Sequence, residues 1–238
     1  MRLGVHVSIA GGFSEAGVRA ERVEMLPHGS RFRVTALGQP LGEIELGLPG
    51  RHNVLNALAA VAVGLEVEVG FAHIAEALAT FRGVARRFES RGEAGGVRVV
   101  DDYGHHPTEI AATLSAARGL GGRVLVLFQP HRFSRTQALR CEFGGCFGEA
   151  DAVWVLDVYP AGETPIPGIS ARTIVESARQ QGADHVREAG DADAAVAAVV
   201  AAARPGDTVL TLGAGDVWKL GDAVLRRLGA QVATGGRR

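Results

Sequence analysis

With 238 residues and 24.8 kDa, the chain is long enough for one sizeable domain or two small ones and can bury a core of its own. Hydrophobic residues at 47%, with aromatics at only 5%, exclude a disordered chain and suit an α/β fold of small side chains. A net charge of -1 spreads no basic field over the molecule, so nucleic-acid binding gets no electrostatic support from composition.

Taken in order, Met1 to Val7 has neither the long apolar core nor the small-residue cleavage site of a signal peptide. No later stretch approaches the roughly 20 consecutive apolar residues of a membrane span. A cytoplasmic protein is therefore expected, with residues 1–18 poorly ordered. Phe32-Arg33-Val34-Thr35 and Glu43-Ile44-Glu45-Leu46 alternate as an antiparallel hairpin broken by Gly38, Pro40 and Gly42. Asn53 to Gly64 and Ala72 to Phe81 read as helices, and Gly83 marks a stop that places a hinge nearby. Strands and helices then alternate: strand Val97–Asp101, helix Pro107–Arg118, strand Val124–Phe128, helix Thr136–Glu149, strand Ala152–Asp157, helix Ala171–Gln181. A short strand at His185–Val186, helix Ala192–Ala203, strand Thr208–Leu212 and helix Val217–Leu228 complete the series. Such alternation predicts a Rossmann-like, mostly parallel sheet with helices on both faces. Cys141 and Cys146 fall in one of these helices; their spacing matches no zinc pattern and two is too few for a disulfide framework, so they read as reduced thiols.

Right-handed crossovers gather the strand-to-helix turns on one edge, where open α/β sheets bind ligands. Two of those turns are unusually polar. Asp101-Asp102-Tyr103-Gly104-His105-His106-Pro107-Thr108-Glu109 crowds carboxylates and imidazoles into one turn, and Phe128-Gln129-Pro130-His131-Arg132-Phe133-Ser134-Arg135-Thr136 follows another strand. Two neighbouring strands would then present His105, His131, Arg132 and Arg135 together, and guanidinium forks suit carboxylate or phosphate. Some of this is local structure: His106 before Pro107, with Glu109 beyond, reads as a helix start. Asn53 alone reads as a helix cap, and Arg87 with Asp101 as a hinge ion pair. Gly213-Ala214-Gly215-Asp216 lacks the third glycine of a dinucleotide fingerprint, because position 218 is Trp, and reads as a structural turn. Val158-Tyr159-Pro160-Ala161-Gly162-Glu163 is a third strand-end loop, with Glu163 placed to face a cleft.

These motifs, with Gly50-Arg51-His52-Asn53-Val54-Leu55-Asn56-Ala57 and Arg86-Arg87-Phe88 in the same order, resemble those of the Mur ligases, the ATP-dependent ligases of peptidoglycan precursor synthesis. The resemblance runs over roughly residues 19–238. Its two polar turns resemble the branch that joins L-alanine to UDP-N-acetylmuramate, with ligases that recycle murein peptides as the nearest competitor. The resemblance implies residues 19–82 as a small α+β remnant of a central ATP-binding domain and residues 83–238 as the C-terminal domain, after an atypical segment 1–18. It also implies a reaction in which ATP phosphorylates the lactyl carboxylate and the alanine amine attacks the acyl phosphate. By motif match, His105, Arg132 and Arg135 are catalytic and Tyr103 and His131 bind substrate. His52, Asn53, Asn56, Arg87 and Asp101 approach ATP, and Mg2+ accompanies the nucleotide.

Members of the family carry a Gly-rich phosphate loop whose lysine reaches the β/γ-phosphates. The only lysine in this sequence is Lys219, between Trp218 and Leu220, so no such loop exists here, and no metal ligands are expected. The polypeptide is expected to be inactive alone, with a separately encoded front half of the ligase as a candidate partner and no nucleic-acid or membrane partner. A non-catalytic nucleotide-binding or interaction module is the alternative. Residues Met1 to Gly12 separately resemble the opening strand of endonuclease IV-type barrels, but no metal-ligand constellation of that nuclease follows.

Overall fold

The computed structural model describes residues 7–9, 17–26 and 29–235. Contacts divide the chain into two compact units, Met1–Gly83 and Val84–Arg238. Most of the nuclease-like opening lies outside the described residues, as does most of the segment expected to be poorly ordered.

The first unit is a four-stranded sheet in the order β1 (Val7–Ile9), β2 (Val18–Leu26), β3 (Gly29–Ala36), β4 (Gln39–Leu46). β1 runs parallel to β2, and the remaining pairs are antiparallel. The β3–β4 hairpin turns at Leu37 and Gly38, both with positive φ (49° and 79°), as a two-residue turn matching strand twist requires. Alternation sends Phe32, Val34, Ile44 and Leu46 into the core. The outward Arg31 meets Glu24, Glu43 and Glu45 on the solvent side. Helices α1 (Arg51–Glu66) and α2 (Phe71–Thr80) cover the apolar face with Val54, Leu58, Val61 and Ile74. α1 begins two residues before the expected Asn53, and its N-cap is Gly50 at φ 97°. Asn53 is not the cap; inside the first turn, its amide donates to the Pro49 carbonyl at 2.7 Å.

The second unit holds a six-stranded sheet. Its strands are β5 (Glu89–Ala94), β6 (Val97–Asp102), β7 (Val124–Phe128), β8 (Ala152–Val155), β9 (Val186–Glu188) and β10 (Thr208–Leu212), and its order is β5-β6-β10-β7-β8-β9. β5 is antiparallel and every other pairing is parallel. Val124, Val126 and Phe128 pack on one face against α3 (Pro107–Arg118) and α6 (Ala171–Gln180), while Leu125 and Leu127 pack on the other against α7 (Ala192–Ala202) and α8 (Trp218–Gly235). Burial on both faces is why β7 reads as an unbroken apolar run rather than an alternating one.

One expected helix departs from expectation. The helix expected over Thr136–Glu149 is two six-residue helices, α4 (Phe133–Ala138) and α5 (Arg140–Gly145), broken at Leu139 (φ -107°, ψ 23°). Gly144 and Gly145 let α6 approach closely, since a Cβ on Gly145 would stand 3.0 Å from the Gln181 carboxamide. Cys146 is buried just beyond α5, its thiol pushed up to about 12 by desolvation, whereas Cys141 is exposed. No described helix is long and apolar enough to cross a membrane.

Candidate functional site

Register sets the carboxyl ends of the central strands level. Leu212 of β10 pairs with Asp102 on one side and Phe128 on the other, and Phe128 pairs with Val155. The chain leaves this rim in the turns that carry Tyr103–His106, Gly213–Asp216, Gln129–Arg132 and Tyr159–Glu163. The strands bearing the two polar turns are not neighbours, contrary to the sequence reading, because β10 lies between them. Their side chains meet nevertheless. The rings of His105 and His131 lie 5.7 Å apart edge to face, His105 meets Tyr103 at 5.4 Å, and His131 stacks on Tyr159 at 5.6 Å and 10°.

Glycine in the intervening turn makes room for this. A Cβ on Gly213 would sit 2.6 Å from the Gln129 carbonyl, and one on Gly215 would strike the Gln129 side chain and the Tyr159 ring. Gln129 itself accepts from the backbone N–H of Asp216 (3.0 Å) and Val217 (3.2 Å) and donates to the Asp216 carboxylate, closing the approach to α8. This part of Gln129 was visible in the motif but was not singled out.

The β6 turn is built around two buried carboxylates. Asp102 accepts from the N–H of Phe88 (2.8 Å) and Gly104 (2.7 Å) and from the Thr113 hydroxyl (3.1 Å). Asp101 accepts from Thr211 Oγ1 at 2.6 Å and from Arg86 Nε at 3.1 Å. Burial raises the Asp101 pKa above its usual range, against the bonds from Thr211 and Arg86. With 0% exposure, Asp101 presents nothing to a ligand in this arrangement, in contrast to its expected approach to ATP. The arginine paired with it is Arg86, which the sequence reading passed over; Arg86 also donates to the carbonyls of Gly213 and Gly215. Arg87 instead lies over the Tyr103 ring at 5.3 Å and stands 4.0 Å from Glu109.

His106 and Glu109 form a capping box at the start of α3, in which Glu109 accepts from the N–H of His105 (3.0 Å) and His106 (3.2 Å). Both neighbours of His105 Nδ1, the Tyr103 carbonyl at 3.0 Å and Glu109 at 3.4 Å, are acceptors. The neutral ring therefore carries its proton on Nδ1.

In the β7 turn, Arg132 occupies φ 76°, a left-handed conformation unusual outside glycine. It is held from both sides: its N–H donates to the Tyr159 carbonyl, and its own carbonyl accepts from the Thr136 N–H and hydroxyl. Arg135 Nη1 stands 3.4 Å from His131 Nδ1, and a guanidinium only donates, so that nitrogen accepts. Desolvation lowers the His131 pKa, with electrostatic repulsion from the His105, Arg135 and Arg132 side chains adding to it and Glu163 opposing, so the ring is neutral at pH 7. The result is a neutral imidazole flanked by two permanent cations and a second imidazole, an arrangement suited to a carboxylate or phosphoryl group.

In the other unit, Asn56 donates to the Asn53 side-chain oxygen at 3.4 Å on the first turns of α1, and Asn56 is exposed. His52 precedes them on the same turn. Exposed amides fit a purine edge. Among the described residues no group of three or more His, Cys, Asp or Glu could hold a metal ion.

The family description "Mur ligase, glutamate ligase domain" matches residues 86–215. A UDP-N-acetylmuramate–L-alanine ligase of Solibacter usitatus is 52% identical over 216 residues, which is 90% of this chain and 46% of that protein. One of Geobacter sulfurreducens is 47% identical over 219 residues, covering 90% and 47%. The solved UDP-N-acetylmuramate-alanine ligase of Thermotoga maritima superposes with a TM-score of 0.73 at 27% identity, covering 92% of this chain and 47% of that one. A murein peptide ligase of Psychrobacter arcticus, at 22% identity and a TM-score of 0.65, shares the fold. The chain spans about half the length of the curated relatives it matches.

Proposed function

The chain belongs to the Mur ligase family, and from that premise we propose that it supplies the amino-acid-accepting part of a cytoplasmic ligase joining L-alanine to UDP-N-acetylmuramate at the expense of ATP. The observation that carries this reading is the convergence of His105, His131, Arg132 and Arg135 on one rim of the sheet, in a chain 52% identical over 216 residues to an alanine-adding relative.

In this proposal the chain's own residues position and neutralise. Arg132 and Arg135 hold the carboxylate of the incoming amino acid or the oxygens of the acyl phosphate, and neutral His131 offers a hydrogen bond without adding charge. His105, its Nδ1 proton fixed by Tyr103 and Glu109, keeps the ring oriented, and Tyr103 shapes the pocket beneath Arg87. Asn56, with His52 and Asn53, takes the adenine. ATP supplies the phosphoryl group that activates the lactyl carboxylate. Asp101 is proposed to organise the turns rather than to touch the nucleotide.

The test is phosphate release with UDP-N-acetylmuramate, ATP, magnesium and L-alanine. The 238-residue polypeptide alone is expected to be silent, because Lys219 lies in no Gly-rich phosphate loop. Mixed with the front half of a relative, it is expected to restore turnover, and Arg132→Ala or His105→Ala to cut that turnover about a hundredfold or more. Turnover by the chain alone overturns the missing-loop argument. Nucleotide binding without turnover in the mixture favours a non-catalytic module.

A further inference from the structure

In the third strand-end loop, one carboxylate faces the cationic turn. We propose that Glu163 is a positioning residue for the amino-acid and acyl-phosphate site: carried on the turn after β8, it grips Ser134 and Arg132 across the gap and so keeps Arg132 in place beside Arg135 and His131. The proposal rests on the reading of this rim as an anion site, and it assigns a role to a side chain that the motif match left without one.

Three kinds of observation meet here. The first is how the carboxylate is delivered. Ala161 and Gly162 both have positive φ (50° and 85°), and the Glu163 N–H donates to the Pro160 carbonyl at 3.0 Å, closing a tight turn that brings Glu163 back towards α4. The second is what it grips. One oxygen accepts from the Ser134 hydroxyl at 2.6 Å and lies 3.9 Å from Arg132 Nη1, and the other accepts from the Ser134 N–H at 3.0 Å. These bonds fall beyond the backbone rungs that already join the loops, the His131–Tyr159 bridge and the Arg132 N–H to Tyr159 carbonyl bond, two residues past Arg132 on one loop and four past Tyr159 on the other. The backbone alone closes the loops, so what the carboxylate adds is a hold on the residues flanking Arg132 and a negative charge.

The third is electrostatic. His131 faces His105 from the β6 turn, Arg132 and Arg135 from its own turn, and Glu163 from the β8 turn; of these only Glu163 favours its protonation. Arg132 and Arg135 are permanent cations three positions apart, and a nearby carboxylate lowers the cost of holding them together in a partly desolvated place. The bonds from Ser134 in turn hold Glu163 ionised below the usual carboxylate range.

The experiment is an NMR titration of the 238-residue chain, following the ring signals of His131 and the amide of Ser134 in wild type, Glu163→Gln and Ser134→Ala. Gln retains an oxygen that can accept from Ser134 but removes the charge. In Glu163→Gln the His131 titration midpoint is expected to fall, a loss of proton affinity of roughly two- to threefold. The Ser134 amide should lose the acid-range inflection that tracks the carboxylate. In Ser134→Ala the Glu163 midpoint is expected to rise towards the ordinary value. An unmoved His131 midpoint in a folded Glu163→Gln chain overturns the proposal. Should that variant not fold, an unmoved Glu163 midpoint in Ser134→Ala overturns it instead. Neither readout requires catalysis. Shifted midpoints without reconstituted ligase activity would leave Glu163 its role and remove the ligase reading, while restored activity with unmoved midpoints would do the reverse.

Discussion

Asp102 and Arg132 sit on facing turns and illustrate opposite ways of holding a functional rim. Asp102 is 5% exposed, and its carboxylate ties Phe88, Gly104 and Thr113 to the end of β6. Removing it leaves the N–H groups of Phe88 and Gly104 and the Thr113 hydroxyl without their acceptor. Asp102→Ala is therefore expected to destabilise the chain by about 2–4 kcal/mol in urea unfolding, and a loss below about 1 kcal/mol would mean that water replaces the carboxylate. Arg132 instead stores strain in its φ of 76°. Glycine adopts that conformation freely, so Arg132→Gly should be about 1 kcal/mol more stable than Arg132→Ala although both lose the guanidinium. Equal stability of the two would show that the turn relaxes once the side chain is gone.

At the scale of elements, the start of α3 ties the site to acid stability. Desolvation acts to raise the Glu109 pKa, but the His105 N–H, the His105 charge, the His106 N–H and Arg87 outweigh it and hold the carboxyl below its ordinary value. A depressed folded value means that the stabilisation is complete above the unfolded pKa and is lost as pH falls through the folded one. Glu109→Gln should accordingly flatten the acid limb of the stability-against-pH curve below about pH 4.5. Asp101, raised by burial, works in the opposite sense, favouring the fold at low pH and losing that share as pH rises through its folded value. The Gly213 turn carries a further expectation: at φ 145° and with the Gln129 carbonyl in the way, Gly213→Ala should cost about 2–4 kcal/mol in thermal or urea unfolding and shift the His131 ring signals as the β7 turn is pushed aside. These elements also show what the amino-acid order reveals. Val124–Phe128 was readable because a strand buried on both faces is an unbroken apolar run, and His106-Pro107-Thr108-Glu109 because capping is local. β5 was not readable: Glu-Ser-Arg-Gly-Glu-Ala at a half-exposed antiparallel edge has no apolar alternation. Nor was the insertion of β10 between β6 and β7, since strand order is a long-range choice that no local pattern encodes. The site residues were found from turn chemistry, while Arg86 and Gln129 were not singled out and Glu163 was placed at a cleft without a partner, because their contacts lie far away in sequence.

For the whole molecule, the division of the core decides which parts can stand alone. One hydrophobic cluster, with Phe32, Ile44, Leu58 and Val61, belongs to the first unit, and the two larger clusters belong to the second. No cluster spans the Gly83–Val84 boundary among the described residues. The second unit holds a complete sheet covered on both faces, and its end-of-sheet ion pairs, such as Arg123 to Asp207 at 2.6 Å, close within it. A polypeptide of residues 84–238 is in the size range of an autonomous domain, so it is expected to fold alone with a single cooperative transition. It should also retain the His131 titration of the full chain, because every group that shifts His131 lies within it. A molten, dye-binding product, or a His131 midpoint that moves on removal of residues 1–83, would show that residues 84–238 do not hold this rim by themselves.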